Sequence, residues 1–217
     1  MDELTLLQKI AVWSLPILFA ITAHEAAHAW VAAKFGDDTA LRLGRVTLNP
    51  IKHIDLLGTI ILPLTMLVMS GFIFGWAKPV PVRFHRLRKL RRDTALVALA
   101  GPGANLIMAI LWAIVGRIGL YFLHIGYEPA LFLVLMASAG ILINAILMIL
   151  NLLPILPLDG GRVLHSALPN NLALSFERLE PYGLIILILL LVSGALEIVM
   201  LPLVNIVYQT LLLLAGL

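Results

Sequence analysis

The chain alternates long apolar runs with short polar ones, and the apolar runs have the length of membrane crossings. Residues 10–33 are apolar almost throughout, as are 94–122 and 131–153, while 56–77 is apolar but broken by Gly58, Pro63, Gly71 and Gly75. About 20 such residues cross the hydrocarbon core as a helix. The pattern predicts an all-α polytopic membrane protein with about five to six transmembrane helices. In it the interrupted stretch 56–77 re-enters the bilayer instead of crossing it. The last run, 183–217, is interrupted at Glu197 and Pro202, which fits two tilted helices or one span followed by a re-entrant or interfacial piece.

Between these runs, residues 34–55 open with the turn signal Gly36-Asp37-Asp38-Thr39 and then alternate apolar and polar positions from 41 to 48. That alternation predicts a short β-like hairpin after the first helix, ended by Asn49-Pro50. Residues 78–92 are densely basic, whereas the connection 124–129 carries no Lys or Arg.

Composition narrows the class. Only 12% of the 217 residues are charged, 61% are hydrophobic and the mean hydropathy is +1.04, far from the roughly 25% charged content of soluble domains. The net charge of +3 comes from basic residues gathered in connections, which read as topology determinants and not as a nucleic-acid surface. Cysteine is absent, so a metal could be held only by nitrogen and oxygen. The leading residues are acidic (Asp2, Glu3), which favours a retained first helix over a cleaved signal peptide.

One pentapeptide does not belong in hydrocarbon. His24-Glu25-Ala26-Ala27-His28 places two imidazoles four residues apart, on one helix face, with a carboxylate beside them. Each ionisable side chain at membrane depth costs roughly 2.5–3.5 kcal/mol, so three within one turn call for partners or a metal. A histidine pair satisfied by backbone carbonyls is the bland alternative, and it leaves Glu25 unexplained. Two histidines and one carboxylate leave a tetrahedral zinc with an open position, the arrangement of a catalytic site. Glu25 would then be the general base of peptide-bond hydrolysis.

A second stretch, Asn151-Leu-Leu-Pro154-Ile-Leu-Pro157-Leu-Asp159-Gly160-Gly161-Arg162, breaks a helix with two prolines and presents Asp159 on irregular backbone. Asn151 and Pro154 are candidates for substrate or oxyanion contacts, with an interhelix clamp an equal reading for Asn151. Asn105 reads first as structural. His53 and Asp55 read as an interfacial capping pair, with support of the metal site as the sharper alternative, shared by Asn105.

His24-Glu25-Ala-Ala-His28 together with Asn151-x-x-Pro154-x-x-Pro157-Leu-Asp159-Gly-Gly resembles the site-2 protease family of intramembrane zinc metalloproteases. The resemblance continues through Gly36-Asp37, Gly44-Arg45-x-Thr47-x-Asn49-Pro50, Gly75-Trp76-Ala77-Lys78-Pro79-Val80 and Ala100-Gly101-Pro102, covering roughly residues 20–165. It implies one Zn2+ per chain held by His24, His28 and Asp159, with Glu25 catalytic. It also implies substrates that are single-span membrane proteins cut in or near their membrane segment. The chain is expected to be a small form, one membrane-embedded domain over 1–217 without PDZ or CBS domains. Its catalytic core would span about 8–165, with further membrane segments at about 183–217. The competing class is a non-proteolytic membrane protein, either a metal transporter or an inactive protease-like scaffold.

A shared metal also constrains topology. His28 and Asp159 can meet only if 56–77 returns to the side it left. Thirteen of the 15 Lys and Arg residues then lie on one face, which the positive-inside rule makes cytoplasmic. The expected location is the cell membrane, multi-pass, with the site nearer the cytoplasmic side.

Overall fold

A computed structural model describes residues 4–55, 58, 61, 65 and 78–217, and among these the secondary structure is helical with no strand. Helix α1 is Leu6–Phe35, α2 Thr39–Arg42, α3 Leu90–His124 and α4 Ala130–Asn151. Helix α5 is Asp159–Ala167, α6 Asn170–Glu177, α7 Gly183–Val192 and α8 Ala195–Ala215. Single 3-10 turns lie at Pro50–His53, Phe84–Arg86 and Glu180–Tyr182.

Four of the described helices, α1, α3, α4 and α8, are long and apolar enough to cross a membrane. Among the described residues the count of such helices is four, and the rest of the expected five to six lies outside them. The final apolar run divides at Gly194, whose φ of 75° turns the chain between α7 and α8. At 10 residues α7 is too short to span, so 183–217 holds one span preceded by a short helix. The re-entrant segment predicted at 56–77 lies outside the described residues, apart from Gly58, Ile61 and Thr65. Its flanks do not: the Lys78 N–H donates to the His53 carbonyl at 2.9 Å, so residues 53 and 78 lie side by side.

The expected β-like hairpin is replaced by α2 and the turn at Pro50–His53. Asp37 is the reason. Its Oδ1 accepts from the Thr39 N–H and hydroxyl, and its Oδ2 accepts from the Arg83 N–H at 2.6 Å. Asp38 adds an ion pair to Arg42 at 2.7 Å, one turn on. Side-chain bonds of this kind satisfy the local backbone in a helical turn and remove the need for a strand partner.

Helix α1 starts at a reciprocal cap, where the Gln8 N–H donates to Thr5 Oγ1 and the Thr5 N–H donates to Gln8 Oε1. It ends at Gly36, with φ 116° and its N–H turned back to the last carbonyls. The bundle is packed with small side chains inward and large ones outward. Ala109, Trp112 and Ala113 of α3 meet Ala137 and Ile141 of α4 and Leu211 and Ala215 of α8. Ile107, Ile114, Ile206 and Leu213 point out and are largely exposed. In lipid, burial of apolar surface does not drive helices together, and close backbone approach through small residues does. One close approach seats the Trp112 ring against Gly140, where a Cβ would overlap it.

Candidate metal centre

Two helices that cannot be neighbours in sequence bring three donor atoms together. His24 and His28 project from one face of α1, seven residues, or about 10 Å of helix, inside its C-terminal end for His28. Asp159 opens α5, the first residue of that helix and not part of irregular backbone as expected. The preceding turn packs so closely on Gly160 and Gly161 that a Cβ at either would strike the backbone of residues 152–156. The two glycines thus bring the start of α5 against the end of α4.

The resulting triangle is small. His24 Nε2 and His28 Nε2 are 3.0 Å apart, and Asp159 Oδ2 lies 3.2 Å from the first and 3.3 Å from the second. A tetrahedral zinc with bonds of about 2.0–2.1 Å requires its ligand atoms about 3.3 Å apart, so the triangle fits one face of such a site. These three residues could hold a metal ion between them.

Protonation supports the fit. His28 Nδ1 donates to the Val97 carbonyl at 2.7 Å, which leaves the Nε2 of the neutral ring as a bare lone pair. His24 Nδ1 meets Asn105 Oδ1 at 2.7 Å. The orientation of that amide is set by backbone, since Asn105 Nδ2 donates to the Ala20 carbonyl at 3.1 Å and to Asn144 Oδ1 at 3.0 Å. Asn144 is anchored in turn by donating to the Gly140 carbonyl at 2.8 Å. Both imidazoles therefore aim lone pairs at a buried carboxylate oxygen that has no hydrogen-bond donor among the described residues. Three facing acceptors repel unless a cation lies between them.

Glycine makes the room. A Cβ on Gly101 of α3 would overlap Nε2 of both histidines, so the small residue under the imidazoles is a requirement of the site. Glu25, half-buried beside the pair, has Oε2 accepting from the Val80 N–H at 2.7 Å.

The other sequence candidates make the following contacts. Asn151 donates to the Leu147 carbonyl of its own helix at 2.9 Å, and Pro154 is exposed in the turn before α5. His53 is buried but bonds the Thr47 carbonyl at 3.0 Å, and Asp55 Oδ1 accepts from the Gly58 N–H at 2.7 Å. Of the three residues considered for support of the site, Asn105 is the one that touches a histidine. Asn144, Gly101 and the Val80 N–H were not singled out for the site by sequence. A polar side chain in the middle of an apolar helix is the signal that points to Asn144.

No family model matches the chain, and no solved structure matches it significantly. Among curated proteins it is 38% identical over 197 residues to YwhC of Bacillus subtilis, provisionally named a zinc metalloprotease. That match spans 87% of this chain and 84% of YwhC. It is 31% identical over 199 residues to Rip2 of Mycolicibacterium smegmatis, likewise provisionally named, spanning 90% of this chain and 73% of Rip2. The Rip2 of Mycobacterium tuberculosis is 30% identical over 191 residues, or 87% of this chain and 68% of that protein.

Proposed function

The chain belongs to the zinc metalloprotease family of these relatives, and from that premise we propose that it cuts peptide bonds in or near the membrane segments of other proteins. It would act as a small site-2-type protease, a single domain with single-span membrane proteins as its substrates. The observation that carries the reading is the 3.0–3.3 Å triangle of His24, His28 and Asp159 within a bundle of membrane-length helices.

His24, His28 and Asp159 would hold the ion. Zinc bound there supplies Lewis-acid polarisation of a carbonyl and lowers the pKa of water toward about 7. Glu25 takes the proton of the attacking water and hands it to the departing amine, the role its place beside the histidines suits. Asn105 keeps His24 in the tautomer that presents Nε2, and Val97 does the same for His28.

The site lies nearer the cytoplasmic face in this reading. Supporting it, Arg91 donates to the Leu168 carbonyl and to Asn170, Arg162 stacks on Phe84, and the Arg88 N–H donates to the Phe35 carbonyl. The basic connections are thus gathered at the end of the bundle where α1 stops and α3 begins. Cysteines introduced at the exposed positions Leu41, Arg88 and Asn170 should all be shielded from an impermeant thiol reagent in intact cells. Labelling of any one from outside would overturn the sidedness.

The activity is tested by expressing wild type, Glu25→Ala and Asp159→Ala with a tagged single-span protein, and by comparing the membrane-fragment proteomes of wild-type and Glu25→Ala cells. Glu25→Ala should retain zinc and lose cleavage, and Asp159→Ala should lose both. Fragments that persist in both variants would end the protease reading.

A further inference from the structure

We propose that Arg45 is a positioning residue for Glu25, acting through the extended run Lys78-Pro79-Val80; the inference rests on the protease reading above. Glu25 is the one charged member of the pentapeptide outside the metal triangle, and a long side chain on a helix face needs something to fix it. The Val80 N–H does so, at 2.7 Å from Oε2. Val80 stands between Pro79 and Pro81, which have no N–H, so it is the sole backbone donor of Pro79-Val80-Pro81. Aiming a single donor at one carboxylate oxygen demands that the run be held at a fixed depth against α1.

Three contacts hold it. Arg45 Nη2 donates to the Lys78 carbonyl at 2.8 Å, and the Lys78 N–H donates to the His53 carbonyl at 2.9 Å. The Val80 side chain is buried against Ala29 of α1 and Ala40 of α2. Arg45 reaches the run from the turn after α2, where Gly44 takes a φ of 63° and the Arg45 N–H donates to the Ala40 carbonyl. Arg45 is only 8% exposed, and its buried Nε has no hydrogen-bond partner among the described residues. A guanidinium is costly to bury with a donor unmet, and a neutral side chain could tie down a loop more cheaply. Its placement on the Lys78 carbonyl fits a demand for rigidity at the Val80 donor. With Oε2 committed to Val80, the other oxygen of Glu25 is the one left to receive a proton.

The test uses the full-length protein in detergent or bilayer, with Arg45→Ala, Arg45→Lys and Val80→Pro, the last of which deletes the N–H from a run already extended. Arg45→Ala and Val80→Pro should lower kcat on a single-span substrate about 10–100-fold, with KM and zinc per chain within about twofold of wild type. Arg45→Lys, which still donates to a carbonyl, should recover part of the loss. A merely structural role would instead remove zinc together with activity, and that result overturns the proposal, as does unchanged kcat in either variant.

Amide hydrogen exchange of the assigned Val80 N–H, followed by NMR, gives a readout free of turnover, and Pro79 and Pro81 add no amide signal beside it. Its exchange should be faster in Glu25→Ala and in Arg45→Ala than in wild type, and equal rates would overturn the clamp. Wild type and Glu25→Ala that cleave alike would refute the protease reading instead, a result distinct from either of these.

Discussion

His24 and His28 face each other through bare Nε2 atoms 3.0 Å apart, each ring having committed its Nδ1 proton to an oxygen on α3. Two lone pairs at that separation, with Asp159 Oδ2 as a third, are held together at a cost that a bound cation relieves. Zinc is therefore expected to stabilise the fold. Raising free zinc from none to a hundredfold above Kd should add about 2.7 kcal/mol, read from thermal unfolding with and without chelator. His24→Ala should make unfolding insensitive to chelator.

Gly101 supports a sharper substitution. Gly101→Ala places a methyl group where the two Nε2 atoms lie, so metal content and cleavage should both collapse. Gly103, two residues on and facing the other side of the helix, has nothing within 4 Å of a Cβ among the described residues. Gly103→Ala should leave zinc bound and stabilise α3 by about 0.5–1 kcal/mol. Metal analysis of the two purified variants decides the matter, and equal zinc content in both would contradict the assigned space.

The amide chain from Asn144 through Asn105 to His24 predicts graded effects. Asn105→Ala strips the His24 Nδ1 of its acceptor and should weaken zinc binding about 10–100-fold. Asn144→Ala leaves that acceptor in place and removes one of the two bonds that orient it, so its loss should be in the same direction and smaller. Competition with a chelator of known affinity measures both.

Asp37 carries a pH dependence away from the metal. Burial acts to raise its pKa, but the Thr39 hydroxyl, the N–H groups of Arg83 and Thr39 and the charge of Arg86 outweigh it, holding the carboxyl below its usual range. A carboxyl with its folded pKa depressed contributes stability above its unfolded value, near 4, and loses it as pH falls through the folded value. Asp37→Asn should therefore cost about 1.5–3 kcal/mol at pH 7, and the gap from wild type should begin to narrow below about pH 4 and close as pH falls past the folded value. Unfolding midpoints at pH 7 and pH 3.5 give the comparison.

Membrane character and the ends of the long helices are legible in the sequence because lipid imposes a run length, and His24, Glu25 and His28 are legible because hydrocarbon makes ionisable groups conspicuous. The hairpin was misread because alternation over 41–48 looks the same whether a strand or a capped turn produces it, and what chooses between them is a tertiary bond from Arg83 to Asp37. Asn105 and Asn144 acquire their connection to the site only when α3 and α4 are packed, so no local pattern separates a clamp from a support. The Val80 N–H is a backbone group, and residue identity carries no sign of it beyond the prolines on either side.

The chain order of the donors bears on biosynthesis. His24, Glu25 and His28 are made first and Asp159 is made 131 residues after His28, with α3 and α4 in between. A nascent chain that ends before Asp159 therefore carries two of the three donors of the candidate metal site. Asp159 joins the two histidines only when α5 packs on α3, so under the proposed function the order of synthesis completes the donor set last.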